Sequence, residues 1–225
     1  MVDVWWARPV SPTEAPGLVG LLDAHEQERL HRFRRSADQA RYLAAHALAR
    51  LVLASRLGGD PAALTIDRTC RCGKPHGKPT VPGVEFSLTH SGDRVGVAVS
   101  AAGPVGLDVE EHRDLGDLDG LAGHALSPTE HRPADGPAFL RVWTRKEALL
   151  KATGEGLSSP MNAITLAGSR VVTWTDGPAE VWLVDLEAGP AHPAAVAGLG
   201  PEAPEVRTHD GDALLAAPLG RPGSR

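Results

Sequence analysis

Alternating apolar and polar residues predict several β-strands along the chain. In the middle of the sequence, three such segments follow one another closely at residues 84–92, 94–100 and 105–111, as expected for strands with one face against a core. Their connections, "SGD" and "AAGP", are short and contain glycine, which favours a β-meander. Further strands are predicted at residues 2–6, around Leu64 and Ile66, and at residues 170–174, 181–187 and 193–199.

Apolar residues spaced by three or four positions predict the helices. The clearest helix covers residues 37–59 and ends at two glycines, a common stop signal. Its apolar stripe consists of Leu43, Ala47, Leu51 and Ala54. Other helices are predicted within residues 11–33 and over 138–154, and the Ser-x-x-Glu pattern of Ser127 and Glu130 predicts a capped helix start in residues 126–132.

The order of these elements, helix and strands followed by helix and strands again, predicts an α+β fold made of two α+β halves. The halves meet near residue 111, which gives a first half of residues 1–111 and a second half of residues 112–225. A chain of 225 residues has room for such an arrangement with a substantial core. The segment after about residue 200 is rich in proline and glycine, which predicts loose order there.

The composition narrows the class of protein. Hydrophobic residues make up 42% of the chain and charged residues 23%, as in soluble globular proteins. No apolar run approaches the length of a membrane span, and the start "MVDVWWARPV" lacks the pattern of a secretory signal, so we expect a cytoplasmic protein that binds no membrane. A net charge of −5 argues against a general nucleic-acid binder.

Two local features each allow two interpretations. Five arginines within residues 28–42 form either a solvated face or a site for an anionic phosphate group; they are Arg29, Arg32, Arg34, Arg35 and Arg41. Cys70 and Cys72 are too few for a disulfide framework. A zinc site would need more ligands than these and the nearby His76, so two reduced thiols in a loop is the better interpretation.

The segment "VGLDVEEHR" (105–113) places two carboxylates on one face of a predicted strand. Because residues i and i+2 of a strand point the same way, Asp108 and Glu110 repel each other unless a positive charge lies between them. On the predicted helix, Glu147 and Lys151 are four residues apart and share a face. Alone they would be an ordinary surface ion pair, but Asp108, Glu110 and Glu147 together supply three oxygen ligands that suit Mg²⁺.

Further groups in the sequence could bind phosphate. Lys74 and Lys78 lie in the Gly/Pro-rich loop "CGKPHGKPTVPG", and His90 follows a strand in "LTHSG", where it is either a turn residue or a ligand contact. Together with the carboxylates, these residues predict a metal-dependent site for a polyphosphorylated substrate. Residue chemistry alone leaves hydrolysis and group transfer both open.

Four motifs follow one another along the chain: "GKP", "FSLTHSG", "VGLDVE" and "WTRKEALLKATGEGL". They resemble the 4′-phosphopantetheinyl transferases of the surfactin-synthetase-activating type, over roughly residues 25–165. The resemblance implies two similar α/β halves that form a pseudo-twofold monomer with the active site between them. It also implies transfer of phosphopantetheine from coenzyme A to a serine of an apo acyl or peptidyl carrier protein, with release of adenosine 3′,5′-bisphosphate.

The resemblance also implies roles for individual residues. Asp108, Glu110 and Glu147 would bind Mg²⁺, or Mn²⁺ in its place, beside the coenzyme diphosphate. Glu147, directly or through a water, would accept the serine proton, and Lys151 would stabilise or protonate the leaving phosphate. The implied coenzyme contacts are Arg29, Arg41, Lys78, Thr89, His90, Lys146 and Lys151. Glu26 stands where a relative has a basic residue, so the cation that holds the 3′-phosphate is left open.

The choice of carrier and two other functions also stay open. Carrier proteins of this kind are acidic, so a chain with net negative charge needs a local basic or apolar docking patch. Segment 112–135 is either that surface or an exposed connecting loop; it contains His112, Arg113, His124, His131 and Arg132. One alternative function is a metal-dependent phosphohydrolase acting on a nucleotide-like substrate. The other is a carrier-binding protein without catalysis, and the presence of Asp108, Glu110, Glu147 and Lys151 argues against this second alternative.

Overall fold

The computed structural model describes residues 1–70, 73–75, 77–154 and 159–217. The α-helices within these residues are α1 (Pro16–Val19), α2 (Ala24–Arg32), α3 (Ser36–Leu57), α4 (Leu118–Ala125), α5 (Gly136–Thr153) and α6 (Asp212–Ala216). The strands are β1 (Val2–Ala7), β2 (Glu85–Ser91), β3 (Arg94–Ser100), β4 (Val105–Val109), β5 (Ile164–Ala167), β6 (Arg170–Trp174), β7 (Val181–Glu187), β8 (Pro193–Leu199) and β9 (Val206–Asp210). The α+β class is confirmed.

The first sheet has the strand order β2-β3-β1-β9. β3 pairs antiparallel with both β2 and β1, whereas β9 runs parallel to β1 and places Val206 opposite Val2. Helix α3 covers this sheet, and its alanine and leucine side chains pack against valines of β3 to form the largest core cluster. The prediction of loose order after residue 200 is wrong for β9, because β9 is held as an edge strand of this sheet.

The second sheet is antiparallel, with the order β4-β8-β7, and it is covered by helix α5. Leu149 of α5 packs there against Ala195 and Ala197 of β8, and β5 and β6 form a separate hairpin. The predicted meander is therefore right for β2 and β3 but wrong for β4, which pairs with β8 from far along the chain. The predicted division after residue 111 does not follow the sheets, since β4 belongs to the second sheet and β9 to the first.

Strands β2 and β4 lie side by side where the two sheets meet, and side-chain hydroxyls join them. The hydroxyls of Ser87, Thr89 and Ser91, which we call the hydroxyl seam, accept hydrogen bonds from the backbone N–H groups of Leu107, Val109 and Glu111 at 3.0, 3.3 and 3.0 Å. Successive bonds join residues of increasing number on both strands, so β2 and β4 run parallel. Their carboxyl ends, which carry the candidate site residues, therefore lie next to each other.

Some local predictions differ from the structure. The helix expected within residues 11–33 is divided into α1 and α2, because Asp23 forms a capping box with Glu26 and starts a new helix. The strand expected around Leu64 and Ile66 is not formed; these residues are irregular, after a 3-10 turn at residues 61–63 and before an isolated bridge between Asp67 and Thr80. The Ser127–Glu130 pattern makes its expected contact, from Ser127 N to a carboxylate oxygen of Glu130 at 2.7 Å, but within a turn.

The remaining predicted elements are confirmed: β1, β6, β7, β8, α3 and α5 lie where the hydrophobic pattern places them. Helix α4 was not predicted, because the helix start expected in segment 112–135 was placed later, at residues 126–132. Among the helices that the structure describes, none combines the length and the apolar character that a membrane span requires.

Candidate active site

Asp108 is the centre of the candidate site. It is the fourth of the five residues of β4 and is only 5% exposed. Its Oδ1 accepts hydrogen bonds from Lys151 Nζ at 2.6 Å and from the Thr89 hydroxyl at 3.3 Å. Its Oδ2 is buried and has no hydrogen-bond partner among the described residues. A buried carboxylate oxygen without a donor is costly, so this atom marks a place where a ligand could bind.

Helix α5 brings Glu147 and Lys151 to the carboxylates of β4. Lys151 Nζ also donates to the Leu107 carbonyl at 3.2 Å, which fixes it beside the strand. Burial raises the pKa of Glu147 against the opposing effect of Lys151, and Glu110 raises it further. Burial likewise raises the pKa of Asp108 to about 6, although Lys151 opposes this rise, and both Glu110 and Glu147 add to it. Asp108 and Glu147 thus share the field of one ammonium group, while Glu110 pairs with Arg113.

This charge imbalance bears on whether the residues fit a divalent cation. As they stand, no three Asp, Glu, His or Cys side chains in the described part of the chain converge closely enough to hold a metal ion. The donor set nevertheless fits Mg²⁺ chemically, because it consists of carboxylates. It also has an unpartnered oxygen on Asp108, and its three carboxylates outnumber the two cations paired with them, Lys151 and Arg113. The predicted ligands are therefore compatible with the ion.

We call Asp108, Glu110 and Glu147 the acidic cluster. Next to it lies a cavity of about 520 Å³, which we call the cationic cavity. Its walls include Arg29, Arg68, Lys78, His90 and Lys151. Lys151 belongs to both features, since it lines the cavity and donates to Asp108 of the cluster. The volume is within the usual range for small-molecule sites, about 300–1,000 Å³, and the lining suits an anionic ligand.

The predicted coenzyme contacts occupy different places around the cavity. The pKa of His90 is lowered to about 4 by withdrawal from water and by Lys151, so its imidazole is neutral at pH 7. Lys78 lies in the wall, but its Nζ donates to the carbonyls of Val105 and Ala152, both at 3.1 Å. Lys78 thereby braces its loop against the start of β4 and the end of α5.

Two other predicted contacts lie beside the cavity. Thr89 is buried within the hydroxyl seam, and its hydroxyl is taken up by Asp108, Val109 and Lys151. Arg41 donates to the carbonyl of Gly92 in the β2–β3 turn at 3.1 Å and pairs with Asp38. Both therefore stabilise the strand that carries His90.

Lys146 is not brought to the site, and the prediction that it contacts coenzyme phosphates is corrected here. Its side chain is 0% exposed, and burial lowers its pKa against the effect of Glu130. The ammonium donates to the carbonyls of Ala125 and Ile164, each at 2.7 Å, and to Glu130 at 2.5 Å. These three acceptors use its three hydrogens. Lys146 thus anchors the far side of α5.

Glu26 is an acidic residue within a basic region of the sequence, and the structure shows that it is the buried partner of basic side chains. It is 0% exposed and accepts hydrogen bonds from His46, Arg50 and Arg68. Burial would raise its pKa, but His46 and Arg50 hold the pKa at about 2. Glu26 therefore organises cations around itself, and one of them, Arg68, reaches the cavity wall.

The cavity also contains residues that the sequence did not reveal: Tyr42, His46 and Arg68. Tyr42 and His46 are one turn apart on α3, and their rings stack at 4.0 Å, so helical periodicity could have found them as a pair. Arg68 lies in an irregular segment and gave no such signal. Cys72 and His76, considered for zinc, lie outside the described residues.

Comparisons with known proteins agree with this geometry. A family model described as the 4′-phosphopantetheinyl transferase superfamily matches residues 104–190, and one described as 4′-phosphopantetheinyl transferase, N-terminal, matches residues 8–102. The two models meet at the start of β4, where the second sheet begins.

Curated proteins give the same result. The chain is 31% identical over 170 residues to a 4′-phosphopantetheinyl transferase of Bacillus subtilis, an alignment that covers 72% of this chain and 74% of the relative. It is 31% identical to the 4′-phosphopantetheinyl transferase HetI of a Nostoc species, over 68% of this chain and 69% of HetI. Identity to the 4′-phosphopantetheinyl transferase Sfp of Bacillus subtilis is 25%, over 90% of this chain and 93% of Sfp.

Proposed function

Because the chain belongs to the 4′-phosphopantetheinyl transferase family, we propose that it transfers the phosphopantetheine group of coenzyme A to a serine of an apo acyl or peptidyl carrier protein. The products are the holo carrier and adenosine 3′,5′-bisphosphate. The observation that carries the proposal is the junction of the cationic cavity with the acidic cluster through Lys151. The proposed state is a cytoplasmic monomer whose two similar halves have a pseudo-twofold relation.

Coenzyme A would bind with its nucleotide part in the cationic cavity. Arg29 and Arg68 supply permanent positive charge for phosphate groups, since guanidinium stays protonated and matches phosphate geometry. His90, being neutral, can donate one hydrogen bond to a phosphate oxygen without adding charge. Lys78 holds the loop wall in place and adds a further cation.

A divalent cation would be held by Asp108, Glu110 and Glu147. When bound, Mg²⁺, or Mn²⁺ in its place, would offset the charge of the diphosphate and of the leaving phosphate.

Glu147 and Lys151 would carry the proton transfers. The pKa of Glu147 is raised by burial and by Glu110, which makes it a better base for the serine proton than an exposed carboxylate. Lys151 lines the cavity and its Nζ is held by Asp108, so its ammonium group can donate to the leaving phosphate. The serine oxygen then forms the new bond to the β-phosphorus. The bond between this phosphorus and the oxygen that bridges it to the α-phosphorus breaks, and adenosine 3′,5′-bisphosphate leaves.

Segment 112–135 is the proposed docking surface for the carrier. It follows closely after β4, which carries Asp108, and its basic groups Arg113, His124, His131 and Arg132 are exposed. Arg113 pairs with Glu110 and Arg132 with Asp119, so these cations would exchange partners when an acidic carrier binds.

Intact mass spectrometry of apo carrier proteins tests the proposal. An acyl carrier and a peptidyl carrier are incubated with this protein, coenzyme A and Mg²⁺, with EDTA in one control and a carrier whose acceptor serine is replaced by alanine in another. We expect a gain of one phosphopantetheine group that needs both the serine and the metal. Consumption of coenzyme A without that gain would instead indicate the phosphohydrolase, and no change in either molecule would leave the non-catalytic binding protein.

A further inference from the structure

We propose that Ser91 is a positioning residue that holds Glu110 in place for the divalent cation and thereby sets the cation affinity of the site. The inference rests on the metal role proposed for Glu110. It concerns a residue at the end of the hydroxyl seam that has no place in the chemistry described above.

The hydrogen bonds of Ser91 fix the direction in which its hydroxyl points. The N–H of Glu111 donates to Ser91 Oγ at 3.0 Å, and Ser91 Oγ lies 2.9 Å from Glu110 Oε2. A hydroxyl has one hydrogen to donate, and an ionised carboxylate can only accept. The serine proton is therefore directed to Glu110, and the backbone N–H of the next residue keeps the serine oxygen where it is.

Glu110 needs such a partner because it lies beyond the last residue of β4. Its backbone N–H donates to the Pro193 carbonyl at 3.0 Å, which fixes the main chain but not the side chain. The other donor to Oε2 is Arg113 at 2.7 Å, whose side chain is 50% exposed. Exposed ion pairs hold their partners weakly. Both contacts fall on Oε2, so the other oxygen of Glu110 is not needed to fix the side chain.

The β2–β3 turn, which follows Ser91, is itself held in place by contacts of Gly92. Gly92 has φ +55, and a Cβ built there would lie 2.3 Å from Cδ of Glu111, so the turn packs directly on the residue after Glu110. Arg41 of α3 donates to the Gly92 carbonyl at 3.1 Å and holds the turn down. Ser91 therefore sits on a fixed frame, which is what a residue that orients a ligand requires.

Ser87 provides a matched control within the same seam. Its hydroxyl accepts a hydrogen bond from Leu107 N at 3.0 Å, the same contact at the same distance as that between Ser91 and Glu111 N. Removing either hydroxyl deletes one bond between the two sheets. Removal of the Ser91 hydroxyl also releases a carboxylate of the proposed metal site.

The experiment is a titration of the full chain with Mn²⁺, followed by electron paramagnetic resonance of the free ion, with and without coenzyme A. We expect Ser91→Ala to weaken Mn²⁺ binding about tenfold, in line with the loss of other residues that orient metal ligands. Ser87→Ala should leave Mn²⁺ affinity in the absence of coenzyme A unchanged, while it lowers stability in urea through the loss of the bond from Leu107 N. Ser91→Thr, which keeps the hydroxyl, should restore the affinity.

The outcomes separate this inference from the proposed function. If the unaltered protein binds Mn²⁺ and Ser91→Ala binds it equally well, or if Ser87→Ala weakens binding as much, Ser91 has no positioning role and the metal site stands. If the unaltered protein binds no Mn²⁺ under either condition, the metal role of Glu110 fails, and the role of Ser91 fails with it.

Discussion

Replacement of Gly106 by alanine would test how closely the site depends on the contact between β4 and α5. A Cβ at this position would lie 1.9 Å from the carbonyl oxygen of Ala148 and 2.4 Å from the backbone N of Ala152. Both atoms belong to the helix backbone, so no side-chain rotation can relieve the clash. The strand and the helix must move apart by about 1.5 Å to reach ordinary contact distance.

The size of the effect follows from that displacement. Overpacking of a core costs about 1–3 kcal/mol, and a backbone clash belongs at the upper end. For a chain of this size, about 3 kcal/mol corresponds to a fall in Tm of roughly 6–12 °C. The long side chain of Lys151 can keep its ammonium group on Asp108 when the helix moves. The shorter side chain of Glu147 cannot compensate, so its carboxylate shifts with the helix. A shift of about 1 Å in a reacting group can lower kcat about 100-fold.

The assays are urea unfolding followed by tryptophan fluorescence and transfer to a carrier measured by mass spectrometry. Gly123→Ala is the stability control, because a Cβ at position 123 meets nothing within 4 Å. In helix α4 it should raise stability by about 0.5–1 kcal/mol. Gly106→Ala with an unchanged free energy of unfolding in urea and full transfer would refute the reasoning, since it would show that β4 and α5 can separate without cost.

Four further predictions concern single side chains. Lys146→Met should destabilise the fold by about 3–5 kcal/mol in urea, because it leaves Glu130 as an unpaired buried charge; unchanged stability with lost coenzyme affinity would return Lys146 to the phosphate site. Glu147→Gln should abolish transfer with the fold intact, and Lys151→Ala should lower kcat more than it raises the Kd for coenzyme A; near-normal turnover would remove either residue from the mechanism. Because the pKa of Glu26 is lowered from 4.5 to about 2 in the folded state, its stabilisation of about 3 kcal/mol is present above pH 4.5 and lost as the pH falls towards 2. Glu26→Gln should therefore flatten the dependence of unfolding free energy on pH between 5 and 2, and a slope equal to that of the unaltered protein would contradict this.

Much of the fold could be predicted from the sequence because local pattern decided it. Helices α3 and α5 and strands β2 and β3 carry regular apolar periodicity and are bounded by glycine or polar turns. β9 could not be predicted, because four of its five residues are exposed and no alternation marks it. The pairing of β4 with β8 spans a long stretch of chain, and sequence proximity to β3 favoured the wrong partner.

The candidate site was predictable to a similar extent. Asp108, Glu147 and Lys151 were found because strand and helix periods place them on defined faces, and the structure brings Lys151 and Asp108 within 2.6 Å. Lys146 was assigned to the coenzyme phosphates by the family resemblance, whereas carbonyls from two distant segments enclose its ammonium group. Burial of a long polar side chain depends on tertiary contacts that no local pattern contains.

The hydroxyl seam explains how two sheets can share one site. In a regular sheet, neighbouring strands lie about 4.8 Å apart and bond through their backbones. Between β2 and β4, each backbone N–H bonds to a side-chain oxygen instead, so a side chain stands between the two backbones. The same hydroxyls are then free to bond on their other side, as Thr89 does to Asp108 and Ser91 to Glu110. Any change that shifts one sheet against the other must therefore move the carboxylates of β4 relative to His90 and the cavity wall.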